Sequence, residues 1–133
     1  MRKGAELIGV VGLGLMGSAL AERFLKNGFV VVGFDIDQNA RRELKRLGGQ
    51  PVEDAASVAR LSRRMIFSLP TTVVVKEVIR EMGTQLRPGS IIIDTTTGEP
   101  EQTAALGTKL AKRRIRYLDA KSSVTANRFA LTT

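Results

Sequence analysis

Short apolar runs alternate with helical patterns along the whole of this 133-residue sequence. Continuous apolar runs predict buried strands, and apolar residues three and four positions apart predict helices between them. The predicted strands comprise residues 7–11, 30–34, 50–52, 64–69, 91–93 and 115–118. An alternation of this kind favours βαβ units, which build a parallel sheet. The sequence therefore predicts an α/β fold with a mostly parallel, six-stranded sheet and helices on both faces.

Capping and turn residues indicate where the predicted helices begin. Asp37 and either Thr71 or Thr72 can cap helices through their side-chain oxygens, and Pro100 suits a first helical turn. Two further helices are predicted over residues 15–27 and 53–61. The unbroken apolarity of residues 91–93 predicts a strand that is buried on both faces of the sheet.

The composition excludes several kinds of chemistry. The sequence contains no Cys and no His, which excludes a disulfide framework, a cysteine nucleophile, a Ser-His-Asp triad and most zinc or iron sites. We therefore predict no metal site, and any chemistry must use other side chains, backbone amides or a bound cofactor.

No segment approaches the ~20 apolar residues of a membrane span. Glycines interrupt the N-terminal apolar stretch, which is unlike the continuous apolar region of a secretory signal. The sequence predicts a cytoplasmic protein without a membrane partner.

The charge balance is strongly basic. Lys and Arg number 21 against 13 Asp and Glu, which gives a formal net charge of +8. Such a balance attracts phosphates of any origin. The basic residues are dispersed over predicted helices, and they lack the interleaved aromatic residues that are typical of single-strand nucleic-acid binding. Nucleic acid is therefore not favoured as a partner, although a non-catalytic basic module that binds nucleotides, nucleic acid or an acidic protein stays open as an alternative.

A glycine-rich loop joins the first predicted strand to the first predicted helix. It has the pattern G-x-G-x-x-G and consists of Gly12, Leu13, Gly14, Leu15, Met16 and Gly17. In this context the first glycine permits a tight turn, the second lets the backbone approach a pyrophosphate, and the third lets the helix pack closely on the sheet. The helix N-terminus adds unpaired N–H groups and a partial positive charge. The loop predicts a Rossmann-type, doubly wound fold that binds a dinucleotide.

An acidic residue ends the second predicted strand. Asp35 follows Gly17 by 18 positions, near the spacing expected for the acid that accepts hydrogen bonds from the adenine ribose. A carboxylate there repels the 2′-phosphate of NADP, and the next residue is Ile36 rather than Arg. Arg41 and Arg42 lie a turn into the following helix and could offset this repulsion. We therefore predict NAD as the cofactor, with NADP as the second choice.

Four motifs in order resemble the β-hydroxyacid dehydrogenases, the family of 3-hydroxyisobutyrate dehydrogenase and tartronate semialdehyde reductase. They are the loop at 12–17 with Met before its last Gly, Leu-Pro-Thr at 69–71, Gly-Ser-Ile-Ile-Ile-Asp-Thr-Thr-Thr at 89–97, and Leu-Asp-Ala at 118–120. The resemblance implies hydride transfer between NAD(P) and a short hydroxyacid or semialdehyde. It implies that the loop holds the pyrophosphate and that Asp35 and Ile36 lie at the ribose. It further implies that Leu69 and Pro70 lie against the adenosine side of the cofactor and that Thr97 reaches its nicotinamide end. The alternative role of Thr97 is to cap the next helix with its hydroxyl.

The sequence departs from this family after residue 120. Relatives continue with Asp-Ala-Pro-Val-Ser-Gly-Gly, a loop that grips the substrate carboxylate, whereas residues 119–125 here are Asp-Ala-Lys-Ser-Ser-Val-Thr. Ser123 is in register with the family Ser, as a remnant of the substrate-binding position. We find no counterpart of the catalytic Lys or of the helical substrate domain. The resemblance therefore implies a dinucleotide-binding domain over residues 1–120, an atypical tail over 121–133, no catalytic residue and a catalytically incomplete oxidoreductase.

Several alternatives stay open. The departure after residue 120 fits a chain cut at a domain boundary, a frameshifted gene or a genuine short module. A prephenate-dehydrogenase-like enzyme shares the glycine loop and the acid, but it uses a catalytic His that this sequence lacks. A small hydroxyacid would be a partner only if the missing domain were supplied. A homodimer is compatible with the apolar surface that such a domain would cover.

Overall fold

Strands and helices alternate from one end of the described chain to the other. The computed structural model describes residues 6–120. Its strands are β1 (Leu7–Val11), β2 (Val30–Phe34), β3 (Gln50–Pro51), β4 (Arg64–Phe67), β5 (Ile91–Asp94) and β6 (Arg116–Asp119). Its helices are α1 (Leu15–Lys26), α2 (Gln38–Leu47), α3 (Ala55–Leu61), α4 (Thr72–Met82) and α5 (Pro100–Ala111), and a 3-10 turn (Gly83–Gln85) follows α4. The predicted α/β class is confirmed.

The six strands form one sheet in the order β3-β2-β1-β4-β5-β6, and every neighbouring pair is parallel. The chain starts at β1 in the middle, winds outward to β3, and then returns to place β4 on the other side of β1. The direction of winding therefore reverses between β1 and β4. Open α/β sheets bind their ligands beyond the carboxyl ends of the strands at such a reversal.

Two apolar layers hold the helices against the sheet. The layer below α3, α4 and α5 includes the fully buried side chains of Met65, Phe67, Met82, Ile92 and Leu110. The layer below α1 and α2 includes Val10, Leu13, Ala21, Val31 and Leu44. Full burial of one such aliphatic or aromatic side chain contributes roughly 1.5–3 kcal/mol. The fold is therefore doubly wound with helices on both faces, as the sequence predicts.

The prediction that residues 91–93 are buried on both faces of the sheet is wrong. Ile92 is fully buried, but Ile91 and Ile93 are only partly buried. Both point to the face that carries α1 and α2, and these helices pack over β1, β2 and β3 rather than over β5. Leu118, which pairs with Ile93 in the register of β5 and β6, is 47% exposed for the same reason.

Side-chain hydrogen bonds set several helix starts. Asp37 accepts from the N–H of Asn39 at 2.9 Å and caps α2, as predicted. Thr71, rather than Thr72, caps α4 by accepting from the N–H of Val74 at 3.2 Å. Pro100 occupies the first turn of α5, which confirms that prediction. These caps satisfy N–H groups that the helix itself leaves without partners.

Several other predicted boundaries shift by one or two residues. Strand β4 ends at Phe67 instead of residue 69, strand β6 begins at Arg116, and helix α3 begins at Ala55 instead of residue 53. The last shift has a clear cause, because Asp54 accepts from the N–H of Ser57 at 2.8 Å and so fixes the start of the helix.

Candidate functional site

Four strand ends surround the reversal of the sheet. The segments that leave β1, β2, β4 and β5 at their carboxyl ends contain the glycine loop, Asp35, Leu69 with Pro70, and Thr97. Together with Ile36, which follows Asp35, these are the site residues that the sequence predicts within residues 6–120. The fold thus places all four segments at one edge of the sheet, although they are far apart in the sequence.

Gly12 makes the turn that leaves β1. Its φ of 97° lies in the left-handed region, and a Cβ at this position would overlap the carbonyl oxygen of Ser68. Its N–H donates to the carbonyl of Phe34 at 2.9 Å, which ties the turn to β2. Any residue other than glycine would be strained here and would also collide with the backbone after β4.

Gly14 stands at the start of α1 with open space in front of it. It is the N-cap residue of the helix, and no side chain caps this helix. A Cβ built on Gly14 would meet no protein atom within 4 Å. The side chains of Leu15 and Met16 are 94% and 54% exposed. The first N–H groups of α1 have no partner within the helix, so this helix terminus offers donors and a partial positive charge to an anion.

Gly17 permits α1 to lie close against the turn. A Cβ on Gly17 would overlap the carbonyl oxygen of Gly12. The next residue strengthens the same contact, because the hydroxyl of Ser18 donates to the carbonyl of Leu13 at 2.8 Å. The Leu13 side chain is buried in the layer below α1 and α2, so within the loop it serves as an anchor and does not face the opening.

Asp35 faces the glycine loop. Its Oδ2 accepts from the N–H of Leu13 at 2.7 Å, and its Oδ1 accepts from the N–H of Asp37 at 2.8 Å. The carboxylate therefore ties the end of β2 to the loop after β1. Each carboxylate oxygen has a second lone-pair direction, so both oxygens can still accept a hydrogen bond from a ligand hydroxyl.

Arg41 shares this corner of the molecule with Asp35. Its Nη1 donates to the backbone carbonyl of Asp35 at 2.6 Å, and its guanidinium carbon lies 5.9 Å from the centre of the Phe34 ring. The neighbouring Arg42 is exposed, and its hydrogen bond within residues 6–120 is a 3.4 Å contact with Asn39. Ile36 is 89% exposed and makes no contribution to the core.

The segments after β4 and β5 are bonded to each other. The N–H of Leu69 donates to Thr96 Oγ1 at 3.0 Å, and the hydroxyl of Thr95 donates to the carbonyl of Phe67 at 2.8 Å. Leu69 is half-buried, and Pro70 is exposed. The first of these bonds explains the early end of β4, because Leu69 donates to a side chain instead of to a neighbouring strand.

Thr97 is exposed in the middle of the segment between β5 and α5. The alternative role considered for it, capping the next helix, is wrong. Glu99 is the N-cap residue of α5, and this position makes no side-chain capping bond. The Thr97 hydroxyl is therefore not committed to the helix.

A buried hydrogen-bond chain below these segments was not predicted from the sequence. Asp94, which is 1% exposed, accepts from the N–H of Thr96 at 2.8 Å and from the hydroxyl of Tyr117. Burial, the hydrogen bond to Asp94 and the nearby negative charges raise the pKa of Tyr117 well above its ordinary value. Because Thr96 in turn accepts from Leu69, the chain links β6, β5 and the segment after β4. The only signal in the sequence is a polar residue that directly follows an apolar run.

The remaining predictions concern Ser123, metal ligands and membrane-spanning helices. Ser123 lies outside the described residues. In the described part of the chain, no three acidic, His or Cys side chains come together as a metal site. No helix of this part is both long and apolar enough to cross a membrane.

Comparison with known proteins identifies relatives of this site and fold. Residues 7–127 match the family model described as the NAD binding domain of 6-phosphogluconate dehydrogenase. The human protein named "3-hydroxyisobutyrate dehydrogenase, mitochondrial" is 29% identical over 119 residues, which are 87% of this chain and 35% of that protein. The 2-(hydroxymethyl)glutarate dehydrogenase of Eubacterium barkeri is 32% identical over 87% of this chain and 40% of its own length.

A solved structure shares the fold. The 3-hydroxyisobutyrate dehydrogenase of Mycobacterium tuberculosis superposes with a TM-score of 0.81 at 23% identity, over 85% of this chain and 39% of that one. The chain thus spans well under half the length of each of these relatives. The match over residues 7–127 shows that the chain belongs to the family of NAD-binding domains of 6-phosphogluconate dehydrogenase, and its relatives confirm the predicted kinship with the NAD-binding domain of β-hydroxyacid dehydrogenases.

Proposed function

We propose that the glycine loop binds the pyrophosphate of NAD and that the chain is the cofactor-binding part of an oxidoreductase of the β-hydroxyacid dehydrogenase type. The observation that carries the proposal is the uncapped start of α1. The first N–H groups of this helix are not capped by a side chain, and the space in front of Gly14 is open. Both features lie where the winding of the sheet reverses, and such a helix start binds anions.

The residues around this point fit a dinucleotide. The N–H groups at the start of α1 would donate to the pyrophosphate, and the Asp35 carboxylate would accept from the ribose hydroxyls through its remaining lone pairs. Leu69, Pro70 and Thr97 follow β4 and β5 on the other side of the crevice, where we propose that they contact the rest of the cofactor. The bound cofactor would supply hydride transfer, and this chain would bind it and orient it.

The second part of the proposal concerns where a substrate and a general acid would be held. We propose residues 1–120 as the dinucleotide-binding domain and residues 121–133 as the stretch that replaces the substrate loop, with Ser123 at the substrate-binding position. A short hydroxyacid, as in the names of the human and Eubacterium relatives, would need residues of a helical domain that supply an acid near its carbonyl oxygen.

The cytoplasmic location stays a prediction, because the name of the human relative places that protein in mitochondria.

A basic module remains the second candidate because of one groove. Lys76, Arg80, Lys109 and Arg113 line a groove of about 470 Å³ between α4 and α5. No ion pair of the described residues involves these four cations. Binding of an acidic partner there would be strongly salt-dependent. The groove lies between two helices and away from the glycine loop, so the two candidate functions use different surfaces.

Calorimetric titration of NAD into the wild-type chain and a Gly14→Ala variant tests the first proposal. Gly14 has a φ of −73°, which alanine adopts freely, and its Cβ would meet no protein atom. The variant should therefore fold as the wild type does. Its Cβ would hold the pyrophosphate away from the helix terminus, and losing two hydrogen bonds to a charged group at ~1.5 kcal/mol each weakens binding by about 100-fold.

A Gly107→Ala variant is the matched control. Gly107 lies within α5, where a Cβ would make an ordinary 3.5 Å contact with Tyr117. This variant should bind NAD as the wild type does. The proposal is wrong if millimolar NAD gives no heat and no rise in melting temperature with the wild type, or if Gly14→Ala binds NAD with unchanged affinity.

A further inference from the structure

We propose that the edge at which β4, β5 and β6 begin binds the phosphate backbone of double-stranded nucleic acid. This edge lies opposite the glycine loop, which follows the carboxyl end of β1. Basic residues that are dispersed along the sequence come together there. This arginine edge consists of Arg63, Arg64, Arg87, Arg113, Arg114 and Arg116. The sequence alone does not favour such a partner, because it does not show that these residues share one edge of the sheet.

The register of the strands fixes the distance between two of these arginines. Arg64 begins β4 and Arg116 begins β6, and both pair with Ile91 of β5. Neighbouring strands lie about 4.8 Å apart, so the two Cα atoms are roughly 10 Å from each other. The sheet therefore holds two positive charges at a separation close to the ~12 Å width of a DNA major groove.

The turn before β5 brings two more arginines to the same edge. The N–H of Gly89 in this turn donates to the carbonyl of Arg114 at 2.8 Å. The Nη1 of Arg63 donates to the carbonyl of Pro88, in the same turn, at 3.3 Å. Arg63 and Arg114 therefore flank one short turn, although they lie 51 positions apart in the sequence.

Backbone carbonyls hold the remaining two arginines. The Nη2 of Arg87 donates to the carbonyl of Arg60 at 3.0 Å. The Nη2 of Arg113 donates to the carbonyls of Gly83 and Leu86 at 3.0 and 3.1 Å. A guanidinium group has five N–H donors, so these bonds fix each side chain and leave further donors on it.

Most of the arginine edge is not paired with carboxylates. Within residues 6–120, its one ion pair joins Arg64 to Glu6 at 2.6 Å, and both side chains are about half exposed. An exposed pair of this kind is weak and is readily exchanged for a phosphate. Asp35, Asp94 and Asp119 lie at the opposite edge, where β2, β5 and β6 end. Charge is thus separated across the sheet, and its positive side attracts polyanions.

The backbone of Arg114 provides an independent observation. Its φ is 62°, and within residues 6–120 it is the one residue other than glycine with a positive φ. This left-handed conformation costs free energy for arginine, whereas glycine adopts it freely. The Arg114 side chain is exposed, so packing in the core does not account for it. Strain of this kind is typical of functional positions, and here it adds a charge to the arginine edge.

The surroundings favour a nucleic-acid backbone over other acidic partners. Arginine binds a phosphate through two parallel hydrogen bonds. A protein interface or a membrane contact needs an apolar centre, but in the described part of the chain Leu61 is the one exposed large apolar side chain beside this edge. No aromatic side chain within residues 6–120 is exposed for stacking on single-stranded bases. Phosphate contacts without stacking are typical of duplexes that are bound through their backbone.

Fluorescence anisotropy of a labelled DNA duplex of about 20 base pairs, titrated with the wild-type chain at several salt concentrations, tests the proposal. We expect a Kd of about 1–100 μM at physiological salt, as for other proteins that contact only the backbone. The logarithm of the binding constant should fall with the logarithm of the salt concentration, with a slope of about −4 for four or five neutralised phosphates.

Variants separate the arginine edge from net charge. Arg63→Gln, Arg114→Gly and Arg116→Gln should each weaken duplex binding by about 3-fold or more and make the salt slope shallower by about 0.9. Arg114→Gly should also melt no lower than the wild type, because glycine relieves the strained φ. Arg42→Gln is the matched control. It lowers the formal net charge of +8 by the same one unit but lies in α2, so duplex affinity and salt slope should not change.

The following outcomes would overturn the proposal. The wild type may show no salt-dependent binding of the duplex, or Arg42→Gln may weaken binding as much as the variants of the arginine edge. A poly-glutamate peptide that displaces the duplex at equal charge concentration would indicate an acidic protein partner instead. Tighter binding of the corresponding single strand would contradict a duplex site.

The same experiment keeps this proposal apart from the cofactor site. Saturating NAD should leave the duplex affinity unchanged, because the glycine loop lies at the opposite edge of the sheet. Competition between NAD and the duplex would place the duplex at the glycine loop and refute the arginine edge. A wild type that binds NAD but no duplex refutes only the arginine edge, and one that binds the duplex but no NAD refutes only the cofactor site.

Discussion

Replacing Tyr117 with Phe should destabilise the protein by about 2 kcal/mol. The substitution removes the hydroxyl that donates to Asp94 and keeps the ring that packs beside α5. Asp94 is 1% exposed, so water does not replace the lost donor easily. Hydrogen bonds to charged groups contribute roughly 1.5–3 kcal/mol, and a buried acceptor that loses its donor bears the desolvation cost. For a chain of this size, 2 kcal/mol corresponds to a decrease in melting temperature of about 8 °C.

The same substitution should alter the dependence of stability on alkaline pH. Burial, together with the bond to Asp94, raises the pKa of Tyr117 above the ordinary value of 10.0. The folded protein therefore retains this proton at a pH at which the unfolded chain has lost it. The resulting stabilisation is fully present below about pH 10 and is lost as the pH rises above it. The slope is at most about 1.4 kcal/mol per pH unit, and it is smaller here because the ring is only half-buried.

Two measurements check this reasoning. Urea unfolding of the wild type and of Tyr117→Phe at neutral pH gives the first difference in stability, and the same pair above pH 10 gives the second. The difference between the two proteins should shrink as the pH rises, because only the wild type loses stability through this group. Tyr117 is the sole tyrosine and the chain has no Trp. Tyrosinate absorbance therefore reports on this residue directly.

An equal stability of the two proteins at neutral pH would show that the hydroxyl does not stabilise the carboxylate. A tyrosinate transition of the folded protein centred at pH 10 would equally refute the account. In urea the transition should return to its ordinary pH, because the unfolded chain has no contact between Tyr117 and Asp94.

Two further substitutions probe the loop and a helix start. Gly17→Ala should destabilise the fold by more than about 3 kcal/mol, or prevent folding, because its Cβ would overlap the Gly12 carbonyl oxygen and push α1 off the sheet. A variant that melts within about 2 °C of the wild type would contradict the close approach of α1 to the turn. Asp37→Ala should cost about 1 kcal/mol in urea unfolding because it removes the side-chain cap of α2. Asp37→Asn, which keeps an acceptor oxygen, should recover most of that loss, and equal stabilities for the two variants would exclude the capping role.

Much of the fold could be predicted because its determinants are local. Apolar runs mark the strands, and polar caps such as Asp37 mark helix starts. Burial of residues 91–93 was wrongly predicted because it depends on which helix covers which half of a face. An apolar run in the sequence does not indicate which part of the sheet a helix packs against. The end of β4 was misplaced for a similar reason, since it depends on a bond from Leu69 to a threonine 27 positions away.

The candidate site was predictable where one short motif carries it. The glycines of the loop stand where the pattern requires them, and Gly12 shows the expected positive φ. The sequence did not reveal that the Asp35 carboxylate bonds to the loop, nor that Arg41 is fixed beside it. Both are contacts between a strand end and another segment, and their geometry depends on the assembled sheet.

The two outer strands of the sheet differ greatly in length. Strand β3 has two residues, whereas β6 has four and, within residues 6–120, pairs with β5 alone. A two-residue border offers too few backbone groups to recruit another strand, while a four-residue border presents a usable template. A strand added to this sheet would therefore be expected beside β6 rather than beside β3. That flank is three strands removed from β1, so an added strand would leave the mouth of the glycine loop uncovered.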